Sequence, residues 1–411
     1  MAINKVIDRN GNTLIDLTND TISSNKVLSG TKFHGPDGKE YTGSLPANEL
    51  DTLKYNFIDY DGTLLYSYTD EQLDALTALP AGPDHTADNL TFQSWNWTLA
   101  NLKAWDRTRP DRPIVGANLI TTDGKSYLYL DTPYTGATLK FSADGTINSV
   151  DWGDGTVDTN TSHVYANPGQ YVIVIDMDSN GYWFIGDYLA NESTNKQWIT
   201  RIKLGENVIN RYSAFRGCYS LESISIPNGA TVIATQAFEY CYNLKGISIP
   251  NGVTSMGSSV FNYCTSLENI SIPNGVTSIS GNVFYACHSL KNISIPNGLT
   301  TMETSLFAYC GSLKTISIPD SVTTIKDYVF QYCYSLNSIS IPDSVTSIGY
   351  NAFYYCYPLT LDISKQTKVI ELKSSINLNS TYNKILVKSN LLENYKSAPQ
   401  WSNYASSMVG V

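Results

Sequence analysis

From about residue 198 onward, apolar positions recur on a fixed beat. The repeating unit reads Phe-x-x-Cys-x-x-Leu-x-x-Ile-Ser-Ile-Pro in its regular copies, followed by an apolar pair three residues apart such as Val276 and Ile279 or Val345 and Ile348. The seven cysteines, Cys218, Cys241, Cys264, Cys287, Cys310, Cys333 and Cys356, stand 23 residues apart without exception. Phe215, Phe238, Phe261, Phe284, Phe307, Phe330 and Phe353 precede them by three, and Leu221, Leu244, Leu267, Leu290, Leu313, Leu336 and Leu359 follow by three. A fixed period in the twenties predicts a solenoid, because no unit that small buries its apolar face alone and stacked neighbours build one continuous core. In Ile270-Ser271-Ile272 the alternation predicts a short strand with both isoleucines inward and the serine outward, ended by Pro273, which has no N–H to give a ladder. Strands of successive coils are expected to stack in parallel and to carry the column Ser225, Ser248, Ser271, Ser294, Ser317 and Ser340. Ile202-Lys203-Leu204 upstream and Leu361-Asp362-Ile363 downstream keep the pattern at a spacing of 22, which predicts irregular terminal coils. Helical spacing from Ser389 through Leu392 and Tyr395, closed by Pro399, predicts a C-terminal cap.

The front half follows other patterns. Residues 56–59 and 64–68 flank Tyr60-Asp61-Gly62-Thr63, a hairpin signal, and helical spacing follows over 71–78 and 97–105. A small α+β module is therefore expected over 49–110. Residues 111–197 carry Val150-Asp151-Trp152-Gly153-Asp154-Gly155-Thr156 and the apolar run Tyr171-Val172-Ile173-Val174-Ile175, which predict a turn and a buried strand of a β-rich domain. Before these, Asn10-Gly11 and Pro36-Asp37-Gly38 predict short strands or an extended arm over 1–48 that docks on a partner. The expected fold class is thus multidomain and mainly β: N-terminal arm (1–48), α+β module (49–110), β-sandwich (111–197), solenoid of 23-residue coils (198–363) and C-terminal cap (364–411).

Composition then narrows the chemistry. Charged residues are only 16% of the chain where about a quarter is usual, so its exterior must be largely neutral and polar. Tyrosine outnumbers phenylalanine 29 to 12, and a phenol, with an apolar body and a polar tip, suits a wet contact surface. A net charge of −10 without a Lys/Arg cluster argues against nucleic acid as a partner. No apolar run has the length of a leader or of a membrane span, so membrane insertion is not expected, and release inside an assembled particle is. No cofactor is expected. The cysteines are odd in number, form no Cys-x-x-Cys pair and do not cluster with His34, His85, His163 or His288, so a zinc site is unsupported. Side chains stacked in parallel suit a disulfide badly, and a ladder of buried free thiols is predicted. Asp151 and Asp154 are candidate calcium ligands, with turn formation the expected role.

The candidate binding residues flank the cysteines. Tyr240, Tyr263, Tyr309, Tyr332 and Tyr355 stand immediately before them, and Tyr219, Tyr242, Tyr334 and Tyr357 immediately after, with His288 in the second column. Beside the serine column, these aromatics would make a stacking track for a glycan or a protein; the competing reading is that they only pack on one another.

Four resemblances attach to these residues. The unit Phe-x-x-Cys-x-x-Leu, Ile-x-Ile-Pro, Val-x-x-Ile over 202–363 resembles the BspA-type leucine-rich repeat, although Gly229 stands where the commoner leucine-rich repeat has its ladder asparagine; the resemblance implies adhesion at bacterial surfaces. Trp152-Gly153-Asp154-Gly155-Thr156, His163-Val164-Tyr165 and Pro168-Gly169-Gln170-Tyr171 resemble the polycystic-kidney-disease-type immunoglobulin-like domain, which implies a β-sandwich. Phe57-Ile58-Asp59-Tyr60-Asp61-Gly62-Thr63 resembles the nucleophile motif of haloacid-dehalogenase-type phosphatases, in which two aspartates serve phosphoryl transfer, but too few residues follow for that fold's strand–helix alternation. The first 45 residues, with Asn12–Thr18 and Lys26–Gly30 motifs, resemble tail-associated proteins of phages of Gram-positive gut bacteria. Together they imply a non-enzymatic virion protein, attached to other tail proteins through its N-terminal segment, homo-oligomeric by fibre analogy, and binding a bacterial surface glycan or protein through the solenoid. The alternatives are a bacterial cell-surface adhesin and, more remotely, a phosphatase.

Overall fold

The computed structural model divides the chain into two compact units, Met1–Asp51 and Thr52–Val411. The residues it describes are 5–7, 13–16, 32–34, 40–42, 54–59, 63–88, 90–105, 107, 113–178, 182–185, 196–205, 211–378 and 383–411. In the first unit, Lys5–Ile7 pairs antiparallel with Thr13–Asp16, and Lys32–His34 with Glu40–Thr42. The predicted short strands thus flank Asn10-Gly11 and Pro36-Asp37-Gly38; those turn residues, and the Lys26–Gly30 motif, lie outside the described residues.

The C-terminal part of the second unit is a solenoid of about nine turns with 23-residue coils. Successive coils are hydrogen-bonded to one another along three lines. The Ile-Ser-Ile strands pair in parallel in the expected register, as in Arg201↔Ser223, Gly246↔Asn269 and Ser338↔Thr360. This line is not continuous as predicted: only an isolated bridge, Asn269↔Asn292, continues it, and no strand is formed over the coils of Ser294 and Ser317. The second apolar pair makes its own parallel ladder, from Val232–Ile233 through Ser255–Met256 to Ser278–Ile279, and again from Thr301–Met302 to Glu371–Leu372. The third line runs past the phenylalanines. Gln236, Phe238 and Tyr240 donate their N–H groups to the carbonyls of Ser258, Val260 and Asn262 at 2.9, 3.0 and 2.8 Å, and the pattern recurs coil after coil. It requires left-handed backbone at the two outer positions, occupied by Gln236 and Tyr240 (φ 59° and 63°), Ser259 and Tyr263 (56° and 59°), and Ser305 and Tyr309 (56° and 64°). Each such non-glycine residue costs on the order of 1 kcal/mol, which the inter-coil hydrogen bonds offset.

Inside the coils the identical side chains stand in file. The phenylalanine rings stack with centroids 5.4–5.8 Å apart from Phe215 to Phe353. All seven cysteines are free and buried. From Cys241 onward each Sγ–H also donates to the carbonyl of the phenylalanine one coil earlier, from 3.3 Å for Cys241 to Phe215 down to 2.8 Å for Cys356 to Phe330. The predicted thiol ladder is therefore present, and it carries hydrogen bonds besides filling space. Burial pushes the Cys218 thiol up to about 12, and those of Cys241, Cys264 and Cys287 well above their ordinary value.

Each end of the stack is closed differently. At the N-terminal end, Ile199–Lys203 pairs antiparallel with Ser126–Thr132 and parallel with Ser223–Ser225, so one six-stranded sheet runs from the β-rich domain into the solenoid. At the C-terminal end, Lys384–Val387 and Met408–Gly410 continue the parallel strand ladder beyond residue 363, so the region expected to be a separate cap extends the solenoid itself. The helix Leu392–Ser397 and the buried Tyr395, Trp401 and Tyr404 close it. The Tyr395 hydroxyl accepts from Ile370 N–H (3.1 Å), the Tyr404 hydroxyl accepts from Asn377 N–H (3.0 Å), and Trp401 Nε1 donates to the Ile370 carbonyl (2.7 Å). On the phenylalanine line a final coil has no following coil to receive its N–H groups, and for Asn377 the Tyr404 phenol oxygen takes that place.

Residues 54–121 form the α+β module. Its sheet runs Leu64–Tyr68, Tyr55–Ile58, Ile114–Thr121, Leu90–Trp95, with short helices Asp70–Ala75 and Leu99–Lys103 capped by Thr69 and Thr98. The first pair is the expected hairpin, with Tyr55 opposite Tyr68. Ile114–Thr121 was expected in the sandwich but pairs parallel with Tyr55–Ile58, moving the boundary from 110 to about 121. An apolar run reads the same whichever sheet buries it. Downstream, Val157–Asp158, Ile147–Asp151, Gly169–Met177 and Ser126–Thr132 lie side by side, with Ala137–Lys140 pairing Ser162–Tyr165 and Ser142–Asp144 pairing Tyr182–Phe184, around buried Trp152, Tyr165, Ile173, Ile175 and Trp183. Asp151 and Asp154 build the turn: Asp151 accepts from Gly153 N–H (2.9 Å), and Asp154 accepts from Thr156 N–H (3.0 Å) and faces His163 Nε2 at 2.7 Å.

Two outcomes follow from this packing. A thiol reagent at pH 8 is expected to label none of the seven cysteines in the native chain and all of them in guanidinium, because every sulfur is buried out of the reagent's reach; labelling of the folded chain would contradict the ladder. The second concerns acid. The Trp152 Nε1–H hydrogen bond holds the Asp158 carboxyl below its ordinary value, and at Asp154 burial pushes upward but the His163 and Thr156 hydrogen bonds outweigh it. Carboxyls depressed in the folded state contribute stability that is complete above the unfolded value of about 4 and lost as pH falls through the folded values. Acid unfolding of the D154N/D158N double variant is therefore expected to depend less steeply on pH below about 4 than that of the parent.

Candidate functional site

Both columns proposed as contact surfaces exist, but they have different fates. The serine column is not open. Ser225, Ser248 and Ser271 are at most 3% exposed because the α+β module sits on them. Its strand Ile114–Thr121 crosses so closely that a Cβ on Gly116 would stand 2.2 Å from Ser248 Oγ, which is why glycine is needed there. Asn96 is the centre of the contact. Its Nδ2 donates to the Ile249 carbonyl (3.0 Å) and to Ser271 Oγ (2.8 Å), its Oδ1 accepts from Gly116 N–H (2.6 Å), and Ser271 Oγ donates to the Ile114 carbonyl. At the rim, Asn228 bonds Gln93 and Ser94, and Asn251 Nδ2 donates to the Trp95 carbonyl at 2.8 Å. Ser294 and Ser317 are also buried, and Ser340 is half-buried. With Asn297, Pro319, Asp320 and Lys365, Ser317 and Ser340 line a groove of about 180 Å³.

The tyrosine column is half-buried along most of its inner row and exposed in its outer row. Its inner row is a continuous ladder: Tyr240 to Tyr263 at 5.3 Å, Tyr263 to Tyr285 at 5.6 Å, Tyr285 to Tyr309 at 5.2 Å, Tyr309 to Tyr332 at 4.6 Å and Tyr332 to Tyr355 at 4.9 Å. Sequence reasoning missed Tyr285. One coil has Ala286 in the left-handed position before its cysteine, and the ring one residue earlier fills the gap at a tilt of 53–54°. The outer row holds the candidates. Tyr219 and Tyr242 stack at 5.2 Å, Tyr334 stands 5.8 Å from Tyr332, and Tyr357 stands 5.7 Å from Tyr355. Tyr219, Tyr242, Tyr334, Tyr357 and His288 are all exposed, Tyr334 the most among the tyrosines at 54%. The inner rings pack on one another, and the outer ones remain accessible. Stacked rings cover each other's faces, so the inner row offers edges and phenol oxygens. Burial, with nearby phenols adding, raises the Tyr242, Tyr332 and Tyr334 hydroxyls above their ordinary value, so they are neutral donors at any physiological pH.

Other candidates are less developed. Asp59 Oδ2 lies 2.7 Å from His85 Nε2 with its carboxylate nearly buried, while Asp61 of the phosphatase-like motif lies outside the described residues. Among the described residues no group of three or more His, Cys, Asp or Glu side chains is placed to hold a metal ion, and no helix is long and apolar enough to cross a membrane.

Comparison with known proteins bears on the solenoid. The BspA type leucine rich repeat region matches residues 207–335 and 301–400, in six copies, a little under half of the chain. This part of the chain carries BspA-type leucine-rich repeats. Among solved structures, a leucine-rich repeat protein from Bacteroides ovatus is 27% identical over 59% of this chain and 71% of that one, with a TM-score of 0.43. A leucine rich cell surface protein from Faecalibacterium prausnitzii is 29% identical over 48% and 54%, with a TM-score of 0.38. The leucine rich repeat protein of T. pallidum is 26% identical over 38% and 67%, with a TM-score of 0.31. No curated protein matches the chain.

The docking contact is open to test by Asn96→Ala. The substitution leaves the buried Gly116 N–H and the Ile249 carbonyl without their partner and is expected to cost about 2–3 kcal/mol, read as a lowered thermal midpoint and faster proteolysis of the module. Gln93→Ala at the rim is expected to change stability by no more than about 0.5 kcal/mol. Equal effects of the two would contradict a contact centred on Asn96.

Proposed function

We propose that the chain is a non-enzymatic recognition protein whose solenoid binds a bacterial surface glycan or protein along its tyrosine edge, and that it does so as a fibre or tip component of a phage tail. The observation that carries the binding role is that edge: an inner ladder of phenols flanked by exposed Tyr219, Tyr242, His288, Tyr334 and Tyr357, on a chain poor in charge. Rigid rings with polar tips give much contact area for little lost conformational freedom, and a stack fixed at both ends is already organised for its partner. The serine column, covered over its first three coils by the chain's own module, is left to architecture there.

The virion setting rests on the likeness of the first 45 residues to tail-associated proteins, with the N-terminal unit as the segment that docks on other virion proteins. A bacterial cell-surface adhesin is the alternative, favoured by the BspA-type repeats over 207–335 and 301–400. Phosphoryl transfer is disfavoured by the immediate surroundings of Asp59, whose carboxylate faces His85 and is nearly closed off from solvent. A nucleophile needs an open approach.

The full chain is expected to sediment with its target bacteria, and replacing Tyr219, Tyr242, Tyr334 and Tyr357 together by Ala is expected to lower the bound fraction about tenfold without unfolding the chain. Undiminished binding by a folded quadruple variant would remove the tyrosine edge from consideration. Co-purification of the chain with phage particles separates the virion setting from the adhesin.

A further inference from the structure

The outer row of the tyrosine edge has one vacant position, and its neighbours give that vacancy a shape. Tyr219, Tyr242, Thr265, His288, Gly311, Tyr334 and Tyr357 occupy equivalent places in successive coils. Backbone bonds confirm that they follow one another: Ser289 N–H to the Thr265 carbonyl (3.2 Å), Ser312 N–H to the His288 carbonyl (3.1 Å) and Ser335 N–H to the Gly311 carbonyl (3.2 Å). At the first two places, Tyr219 and Tyr242, the rings stack 5.2 Å apart and nearly parallel, at 12°. At Gly311 there is no side chain. A Cβ built on it would meet only the ring edge of Tyr334, at 3.6 Å, with nothing else within 4 Å. The backbone of Gly311 thus floors a slot about one ring thick, between His288 on the preceding coil and Tyr334 on the following one. Tyr334 has only a tilted neighbour, Tyr332, at 53°, and its ring faces are not taken up by a stacked partner.

The surroundings decide what fits. The three coil segments that frame the slot are Ala286-Cys287-His288-Ser289-Leu290, Tyr309-Cys310-Gly311-Ser312-Leu313 and Tyr332-Cys333-Tyr334-Ser335-Leu336, none of which contains a Lys, Arg, Asp or Glu. The chain as a whole carries −10, which opposes an anionic ligand. The slot offers an aromatic wall, an imidazole opposite, and a rim of hydroxyls from Ser312, Ser335 and the phenols of the inner row. A neutral sugar ring matches that combination, since its C–H face packs on an aromatic ring while its equatorial hydroxyls reach donors and acceptors around the rim. We propose that the Gly311 slot takes one neutral pyranose ring of a surface glycan, stacked on Tyr334 and hydrogen-bonded at its edge by His288 and the surrounding hydroxyls. This rests on the tyrosine edge being the binding surface and goes further in naming the ligand class and the place.

Gly311 has an ordinary backbone conformation and an open Cβ direction, so larger residues are accommodated there. Gly311→Tyr is expected to complete the outer row and close the slot while leaving the thermal midpoint unchanged or raised. The full chain is tested against immobilised neutral oligosaccharides of hexose and N-acetylhexosamine, with whole-cell sedimentation in parallel. Saturable binding to a neutral oligosaccharide is expected, weakened about tenfold or more by Gly311→Tyr and by Tyr334→Ala, and changed less than about twofold by Gln93→Ala, which lies at the rim of the module contact. Sugar binding that survives Gly311→Tyr overturns the slot. So does cell binding with no sugar bound, or displacement by an aromatic peptide and by no sugar, and in these two cases the tyrosine edge stands as a protein-binding surface. Loss of cell binding in the quadruple tyrosine variant, with Gly311→Tyr binding cells normally, would likewise leave the edge in place and remove the slot.

Discussion

The structure depends on the register in which one coil hydrogen-bonds to the next. Three lines of backbone bonds fix it, two along strands and one past the phenylalanines, and the last is obtained only by holding two residues per coil in left-handed backbone. Once the register is set, side chains 23 positions apart must meet. The phenylalanine stack, the Sγ–H bonds and the tyrosine ladder are consequences of that one condition. So are the charge pairs: Arg216 with Glu239, Lys245 with Glu222, Lys291 with Glu268 and Lys326 with Glu303 each join equivalent positions of adjacent coils. The exposed pairs among them add little stability. A shift of one residue would set every phenylalanine and cysteine against the wrong neighbour, so the register is held by many weak agreements at once.

The same regularity explains why the strand face and the turn edge serve different ends. A strand face rich in serine hydroxyls and carbonyls is a good docking surface for any carboxamide that reaches it, and the chain's own Asn96 does so. The module thereby rests on the first coils, and the sheet of the β-rich domain runs directly into the solenoid. The front half of this unit thus supports the stack, and the edge carrying the stacked phenols is left facing outward.

What could be read from the sequence and what could not divide along a physical line. Period, inward and outward positions, buried thiols and the tyrosine columns follow from identity at fixed spacing, which survives any detail of geometry. The left-handed backbone at Gln236, Ser259 and Tyr240 was invisible, because nothing about these residue types announces it and only the inter-coil bonds impose it. The docking of Asn96 on Ser271, 175 residues away, left no trace in any local pattern. Strand Ile114–Thr121 was assigned to the wrong sheet for a related reason: its apolar run says that it is buried, not against what. The cap was recognised by its helix and aromatics, yet its continuation of the strand ladder escaped notice, since Lys384–Val387 and Met408–Gly410 keep the register without keeping the motif. Gly311 could have been found by asking which coil breaks the aromatic column.

The stack also has a direction. Along the phenylalanine line alternate N–H groups point toward the next coil, so the growing end presents donors and the starting end acceptors, and each is met by a different partner: the Ile185 N–H on the Ala214 carbonyl at one end, the Tyr404 phenol oxygen on the Asn377 N–H at the other. Internal units are interchangeable between these two unlike closures. Duplication or loss of a whole unit by recombination between near-identical stretches such as Ile-Ser-Ile-Pro-Asn-Gly would lengthen or shorten the wall by one rung and leave both closures intact. Natural variants of this architecture are therefore free to differ in reach while keeping their ends, and the number of rungs becomes a heritable dimension of the contact surface.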